Sequence, residues 1–513
     1  MNRQDNRLSY TPTCYPALPD QKILSNSNRF IRNTQYLTCL KLKMKSLFGA
    51  ILVTLCCCLT NRLAAKVVLP SVISDNMVLQ QQSKVLLWGY STISGTVTII
   101  TSWNHKKVTV KCSSNNKWTA WIQTPAAGGP YKITFVNGEA ITLKNVLIGE
   151  VWFCGGQSNM EMPVRGFRNQ PVLESNEILA GADNPQIRLF KTKRASSTVP
   201  LDSCSGIWQV ADAASVKDFS AVAYEYGRYL QAKLKVPVGL VLSCWGGTMI
   251  ETWMSRDMLA PFPDIKLPDS IDPKAGDNQP PSALFNGMIA PLAGYGIKGF
   301  IWYQGESNRR EPELYQQLFP AMVAGWRKCW NMGELPFYYV QIAPFASKDT
   351  VKGSGPKLRE AQLNCMRTIP NSGMAVTLDI GKEKYIHPPD KTTVGKRLAY
   401  WALAKTYHHE GIGYCGPVYS SMTVQKNKLI VRFDQAADGL TSFGKELSNF
   451  EIAGHDKKFH PAKASILYDR CVEVYSDEVE DPVAVRYGFK EWVTGDLYNV
   501  EGLPASSFRT DDY

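Results

Sequence analysis

In the stretch GGQSN, residues 155–159, a serine stands between two carboxamides directly after an apolar run that reads as a buried strand. Such a strand releases Ser158 at its carboxyl end. The glycines let the backbone turn closely and leave amide N–H groups uncommitted, the layout of an exposed nucleophile beside an oxyanion site. Alone, the stretch reads equally well as a polar turn capping a helix, since Ser and Asn do this routinely. It is not a GxSxG elbow, because Met160 stands where the last glycine belongs.

A nucleophilic serine needs a base, and the chain has six histidines. His105, His455 and His460 fall in β-patterned flanks, and His408 and His409 follow a helix end. His387 alone sits in a strand–loop–helix context, AVTLDIGKEKYIHPPDKTTVGKRLA. Oxyanion donors are the third requirement, each worth about 3 kcal/mol where measured. SCWGGT offers the Gly246 and Gly247 amides at another strand end, and WYQGESN offers Gln304 and Asn308 at a third. Glu306 in that last block reads as a hydrogen-bond acceptor behind the site, not as half of a glycosidase pair, because no second carboxylate recurs in comparable context.

These residues need a scaffold that brings four strand ends together. From Ile148 onward apolar strands alternate with segments of helical period, such as SAVAYEYGRYLQAKLK, ELYQQLFPAMVAGWRKCWN and KTTVGKRLAYWALAKTY. That alternation predicts an α/β fold with a parallel sheet covered on both faces and its ligand at the carboxyl edge. Before it, short alternating strands (KVLLWGY, GTVTII, KWTAWIQTP) read as a β-sandwich, and beyond Gly413 short strands return. The expected organisation is a leader at 1–65, a β-sandwich at 66–147, a catalytic α/β domain at 148–412 and a β-rich region at 413–513.

Composition narrows the function classes. With 513 residues, 44% of them hydrophobic, the chain can bury several cores. The segment MKSLFGAILVTLCCCLTNRLAA from Met44 reads as a secretory signal: a lysine, a short apolar run and a small-residue exit. This places the start at Met44, with residues 1–43 as an upstream extension, and the mature protein in a secreted or periplasmic compartment. Nine basic and two acidic residues precede Lys66, so +7 of the formal +12 belongs to the leader and +5 to the remainder. Nucleic-acid binding thereby loses its main support. Eight cysteines follow the leader without a CxxC pair, and no His, Cys and carboxylate cluster has metal-ligand spacing, so neither zinc nor another metal is expected.

With these blocks assembled, the sequence resembles the sialate O-acetylesterases, a branch of the SGNH hydrolases. The likeness runs from SDNMVLQ and GGPYKITF through LIGEVWFCGGQSNMEMPV, WGGTMIETWMS, FIWYQGESN and IHPPDKTTVGKRLA to LYNVEGLPASSFRTDDY. It implies an SGNH-type, flavodoxin-like three-layer catalytic domain and hydrolysis of acetate esters on sialic acid hydroxyls, without metal or organic cofactor. It makes Ser158 the nucleophile, His387 the general base, and Ser158, Gly247 and Gln304 or Asn308 the oxyanion donors. The family's acid usually lies three residues before the histidine, where this chain has Lys384. Asp379 becomes the first candidate acid and Asp390 the second, with a backbone carbonyl orienting His387 as the third option. Arg165 and Arg168, just past the nucleophile, are candidates to pair with a sialate carboxylate. An acetylesterase for xylan or another polysaccharide, and a non-catalytic carbohydrate-binding protein, are the competing readings. An ordinary imidazole would fix loss of activity near a pH of about 6.5.

Overall fold

The computed structural model describes residues 66–271, 277–347 and 353–513, so the leader and signal predicted for 1–65 lie outside the described residues. The strand that delivers GGQSN is long: β1 runs Glu139–Gly156, and its second half is buried throughout. On either side β1 pairs in parallel with β4 (Val238–Cys244) and β5 (Gly299–Tyr303). Beyond β4 lie β2 (Asn184–Lys191) and the antiparallel edge strand β3 (Trp208–Ala211); beyond β5 lie β6 (Phe337–Val340) and β7 (Ser372–Ala375). The order β3-β2-β4-β1-β5-β6-β7 makes β1 the strand at which the winding reverses, and its carboxyl end is where a crevice opens.

Alternation along the strands fixes the two helical layers. Phe153 of β1 and Phe300 and Trp302 of β5 point into one core with Trp326 and Trp330 of the helix Pro312–Trp330. Trp152 and Cys154 of β1 and Ile301 of β5 face the other, with Tyr226 of the helix Ala221–Leu234 and Leu398 of the helix Lys391–Trp401. The Phe153, Phe300, Trp326 and Trp330 rings meet mostly edge to face at 5.0–6.3 Å, each edge-to-face pair adding about 1 kcal/mol beyond burial. The sheet that carries the site is therefore packed on both faces.

β-strands make up both flanks of the α/β core. Val67–Val68, Lys84–Ser91 and Lys117–Gln123 form a small sheet against strands that pair with the first half of β1. The boundary expected at 147/148 falls inside β1, so the N-terminal β region and the α/β core share a strand. After residue 413, two four-stranded antiparallel sheets make up most of the C-terminal part. Arg359, fully buried on the helix Ser354–Thr368, ties that part to the core by donating to Ser507 Oγ and to the Gly488 and Lys490 carbonyls. The eight cysteines after the leader are free thiols, six of them buried. Among the described residues no helix is long and apolar enough to cross a membrane, and no group of three or more His, Cys, Asp or Glu is placed to hold a metal ion.

Candidate active site

β1 ends at Gly156, whose φ of +143° and close approach to β5 exclude a side chain: a Cβ there would lie 2.2 Å from the Tyr303 carbonyl oxygen. The chain turns at once into a short helix, Ser158–Glu161, with Ser158 partly exposed at its first position. The next strand end closes on it. Gly246, just past β4, lies so near that a Cβ would sit 3.1 Å from the Ser158 Cβ. Its N–H donates to Glu161 Oε2 at 2.8 Å, which ties the Gly246–Gly247 turn to the helix bearing the serine. The N–H groups of Ser158 and Gly247 have no acceptor among the described residues. Uncommitted amides on the nucleophile and on a neighbouring turn are the donors a developing oxyanion requires.

His387 arrives from the loop after β7, and its Nε2 lies 2.8 Å from Ser158 Oγ. With the serine donating to Nε2, Nδ1 carries the hydrogen and donates to Gln170 Oε1 at 2.6 Å. Phe167, from the same loop as Gln170, packs its ring edge-on against the imidazole at 5.3 Å. Burial, and after it the charge of Lys391, pushes the His387 pKa down to about 4. The imidazole is thus an unprotonated acceptor across the neutral range, well below the 6.5 expected from an ordinary side chain.

The third member differs from every sequence-based candidate. Asp379 is held in a bidentate pair with Arg397, both contacts 2.7 Å and both side chains nearly buried, so its two oxygens are committed away from the histidine. Asp390 caps the following helix by accepting from the Thr393 backbone and hydroxyl. Lys384 is exposed. A neutral carboxamide, Gln170, does the orienting, and nothing in the sequence around RGFRNQP sets it apart from a loop glutamine 217 residues from the histidine.

Gln304 and Asn308 are also given a different task from the oxyanion role expected of them. Gln304 is completely buried, and its Nε2 donates to the Thr248 carbonyl and to Asn308 Oδ1. Asn308 Oδ1 also accepts from the Ile250 N–H, while its Nδ2 donates to Glu251 Oε2. These carboxamides bind the segment after Gly247 from beneath, because they follow β5 into the protein interior.

Behind the serine lies a polar cluster of which the sequence reading named only Glu306. Asn159 is fully buried; its Nδ2 donates to Glu306 Oε1 and, at 3.1 Å, to the carbonyl of Ile386, while its Oδ1 accepts from Lys391 Nζ at 2.6 Å. Lys391 is itself completely buried, and burial takes its ammonium down to about 7, opposed by Glu306 and Asp390. Burial also raises the Glu306 carboxyl, whose Oε2 has no partner among the described residues. One sequence signal pointed to Lys391: a cation as the first residue of a helix opposes the helix dipole and needs another reason to be there.

Of the two predicted arginines, Arg165 is exposed and paired with Asp218. Arg168 is exposed, has no ion-pair partner among the described residues, and adjoins Phe167 in the loop that touches His387. Sequence reasoning missed Arg194, which donates to Glu161 Oε1 and lies over the Trp245 ring at 5.2 Å, next to the Gly246–Gly247 turn.

Residues 148–404 match the family described as carbohydrate esterase, sialic acid-specific acetylesterase. The chain is 30% identical to the sialate O-acetylesterase of Rattus norvegicus over 491 residues, covering 82% of this chain and 89% of the relative. It is 31% identical to that of Mus musculus over 486 residues, with the same two coverages. The crystal structure of a carbohydrate acetylesterase from Xanthomonas citri is 35% identical, with a TM-score of 0.80, and the match covers 87% of this chain and 100% of that one.

Proposed function

The chain belongs to the carbohydrate esterase family of sialic acid-specific acetylesterases, and on that premise we propose that it removes O-acetyl groups from sialic acid through an acyl-enzyme on Ser158. The family makes it a carboxylic ester hydrolase. The observation that carries the mechanism is the 2.8 Å contact of Ser158 Oγ with a neutral His387 Nε2. Ser158 Oγ attacks the acetyl carbonyl as His387 takes its proton, and the oxyanion forms against the Ser158 and Gly247 N–H groups. Collapse breaks the ester bond, and His387 returns the proton to the departing sugar oxygen. A water molecule, activated by the same imidazole, then attacks the acetyl-serine and releases acetate.

Gln170 holds the Nδ1–H tautomer but brings no negative charge, so the transient imidazolium gains less stabilisation than an aspartate would give it. More of the rate enhancement then rests on the amides. We assign the domain to the SGNH hydrolases from this order of serine, glycine and histidine at the strand ends. Arg168, unpaired beside the imidazole loop, is the cation we place against the sialate carboxylate. Acetate release from O-acetylated sialic acid and from acetylated xylan, assayed side by side, tests the substrate. Preference for the sialic acid ester, lost in Arg168→Ala through KM, supports the reading; preference for xylan overturns it. The leader carries the further proposal of export, checked by N-terminal sequencing of the secreted protein.

A further inference from the structure

Lys391 is a fully buried cation that the acyl-transfer steps do not use, and it stands at a junction of four elements. It begins the helix that follows the His387 loop and donates to Asn159, the residue after the nucleophile. Asn159 in turn holds the Ile386 carbonyl, one peptide before the base, and Glu306 from the loop after β5. We propose that Lys391 is a positioning residue for the Ser158–His387 pair: through Asn159 it fixes the peptide that carries His387. Its charge adds to the burial that already disfavours an imidazolium there. The inference rests on the serine mechanism above.

Two effects are separable by chemistry. The hydrogen bond to Asn159 Oδ1 requires a donor and not a charge, because a neutral amine also donates. Suppression of imidazolium requires the charge, since a nearby cation disfavours a second one. The groups facing Lys391 are Glu306 from the loop after β5, Asp390 beside it on its own helix, His387, and the Tyr303 ring of β5, over which the ammonium lies at 5.5 Å. With an ammonium that burial brings to about 7, Lys391 is charged throughout the acid range in which His387 titrates, and the direction of its influence is fixed there. A lysine present only to fill the cluster would support the fold without moving that titration.

The test is the pH dependence of kcat/KM, measured as acetate released from 4-nitrophenyl acetate between about pH 3.5 and 8. Lys391→Gln keeps a donor but removes the charge. Its acid limb should rise by about one pH unit, with a few-fold fall in the plateau. Lys391→Met removes both, and should show the same rise with a plateau lower by about tenfold to a hundredfold, because the base is no longer held in register. Lys391→Arg keeps the charge and should keep the low limb. If Lys391→Met does not fold by circular dichroism, the Gln and Arg variants decide the matter between them. A lowered plateau with an unmoved limb in Lys391→Gln overturns the electrostatic role, and an unaltered plateau in a folded Lys391→Met overturns the positioning role. Ser158→Ala runs alongside: turnover there overturns the serine mechanism and this inference with it, whereas an inactive Ser158→Ala beside an unmoved limb overturns this inference alone.

Discussion

The two halves of the reaction centre are built by different means. The nucleophile half, Ser158 with Gly246 and Gly247, is set by backbone: two neighbouring parallel strands end side by side, β4 in register with β1 up to Cys244 opposite Gly156. The base half is set by side chains. His387 lies on a loop after the outermost strand of the sheet, and is located by Gln170 at Nδ1, by the Phe167 ring, and by Asn159 on the preceding carbonyl. A half made of strand ends is as rigid as the sheet, whereas a half made of side-chain contacts can be altered one contact at a time. Substitutions on the first should cut activity in large steps without moving its pH dependence. Those on the second should grade it and move its pH dependence.

The largest effects belong to the reacting atoms. Ser158→Ala and His387→Ala should fold normally and lose kcat by about 10⁴-fold or more, measured by acetate release. Turnover near the unaltered level in a folded Ser158→Ala protein would refute the acyl-enzyme. Next is the backbone half itself: Gly246→Ala puts a methyl 3.1 Å from the Ser158 Cβ and 3.2 Å from Glu161 Oε2, displacing both the serine and the adjacent Gly247 amide. A fall in kcat of about 10²-fold with KM little changed is the result expected for a disturbed oxyanion site.

On the side-chain half the effect is smaller and has a sign in pH. The activity of the unaltered protein should hold down to about pH 4, where His387 takes up a proton, because only the free base accepts the serine hydrogen. In Gln170→Glu a carboxylate meets Nδ1–H, favours the imidazolium, and should lift the acid limb towards the ordinary histidine value. Gln170→Ala should leave the limb low and reduce kcat by about tenfold, through a looser tautomer and ring orientation. A limb near 6.5 in the unaltered protein would show that the imidazole is more open to water than its surroundings here make it.

The same contrast explains what the sequence disclosed. Ser158, the Gly246–Gly247 turn and the sheet that aligns them were legible because strand ends announce themselves: an apolar run, then glycine and polar residues. His387 was legible by elimination and by its strand–loop–helix setting. Gln304 and Asn308 were found as residues but not in their role, since periodicity tells that a side chain follows a strand end and not whether it turns to the crevice or the interior. Gln170 left no trace, because its meeting with His387 depends on where two loops cross. Lys391 left the faint one of a cation at the wrong end of a helix.

Asp379 is the sharpest case of a residue with suitable chemistry in a suitable block and another partner, and it carries the smallest catalytic effect. Both of its oxygens receive the Arg397 guanidinium at 2.7 Å, and Arg397 also donates to the Val376 carbonyl, so the pair fastens the chain leaving β7 to the helix Lys391–Trp401. Asp379→Asn retains one acceptor of nearly the same shape but leaves Arg397 a buried cation without its counter-charge. Losing one partner of such a pair costs about 3 kcal/mol, which should appear as a lower denaturation midpoint. The protein that remains folded should turn over within about twofold of the unaltered rate, since no atom of Asp379 reaches the imidazole and Gln170 still orients it. A loss matching that of His387→Ala, in protein shown to be folded, would restore Asp379 as the orienting acid and require the loop before His387 to rearrange when substrate binds. Retained turnover with reduced stability would place Asp379 with the elements that carry the base half.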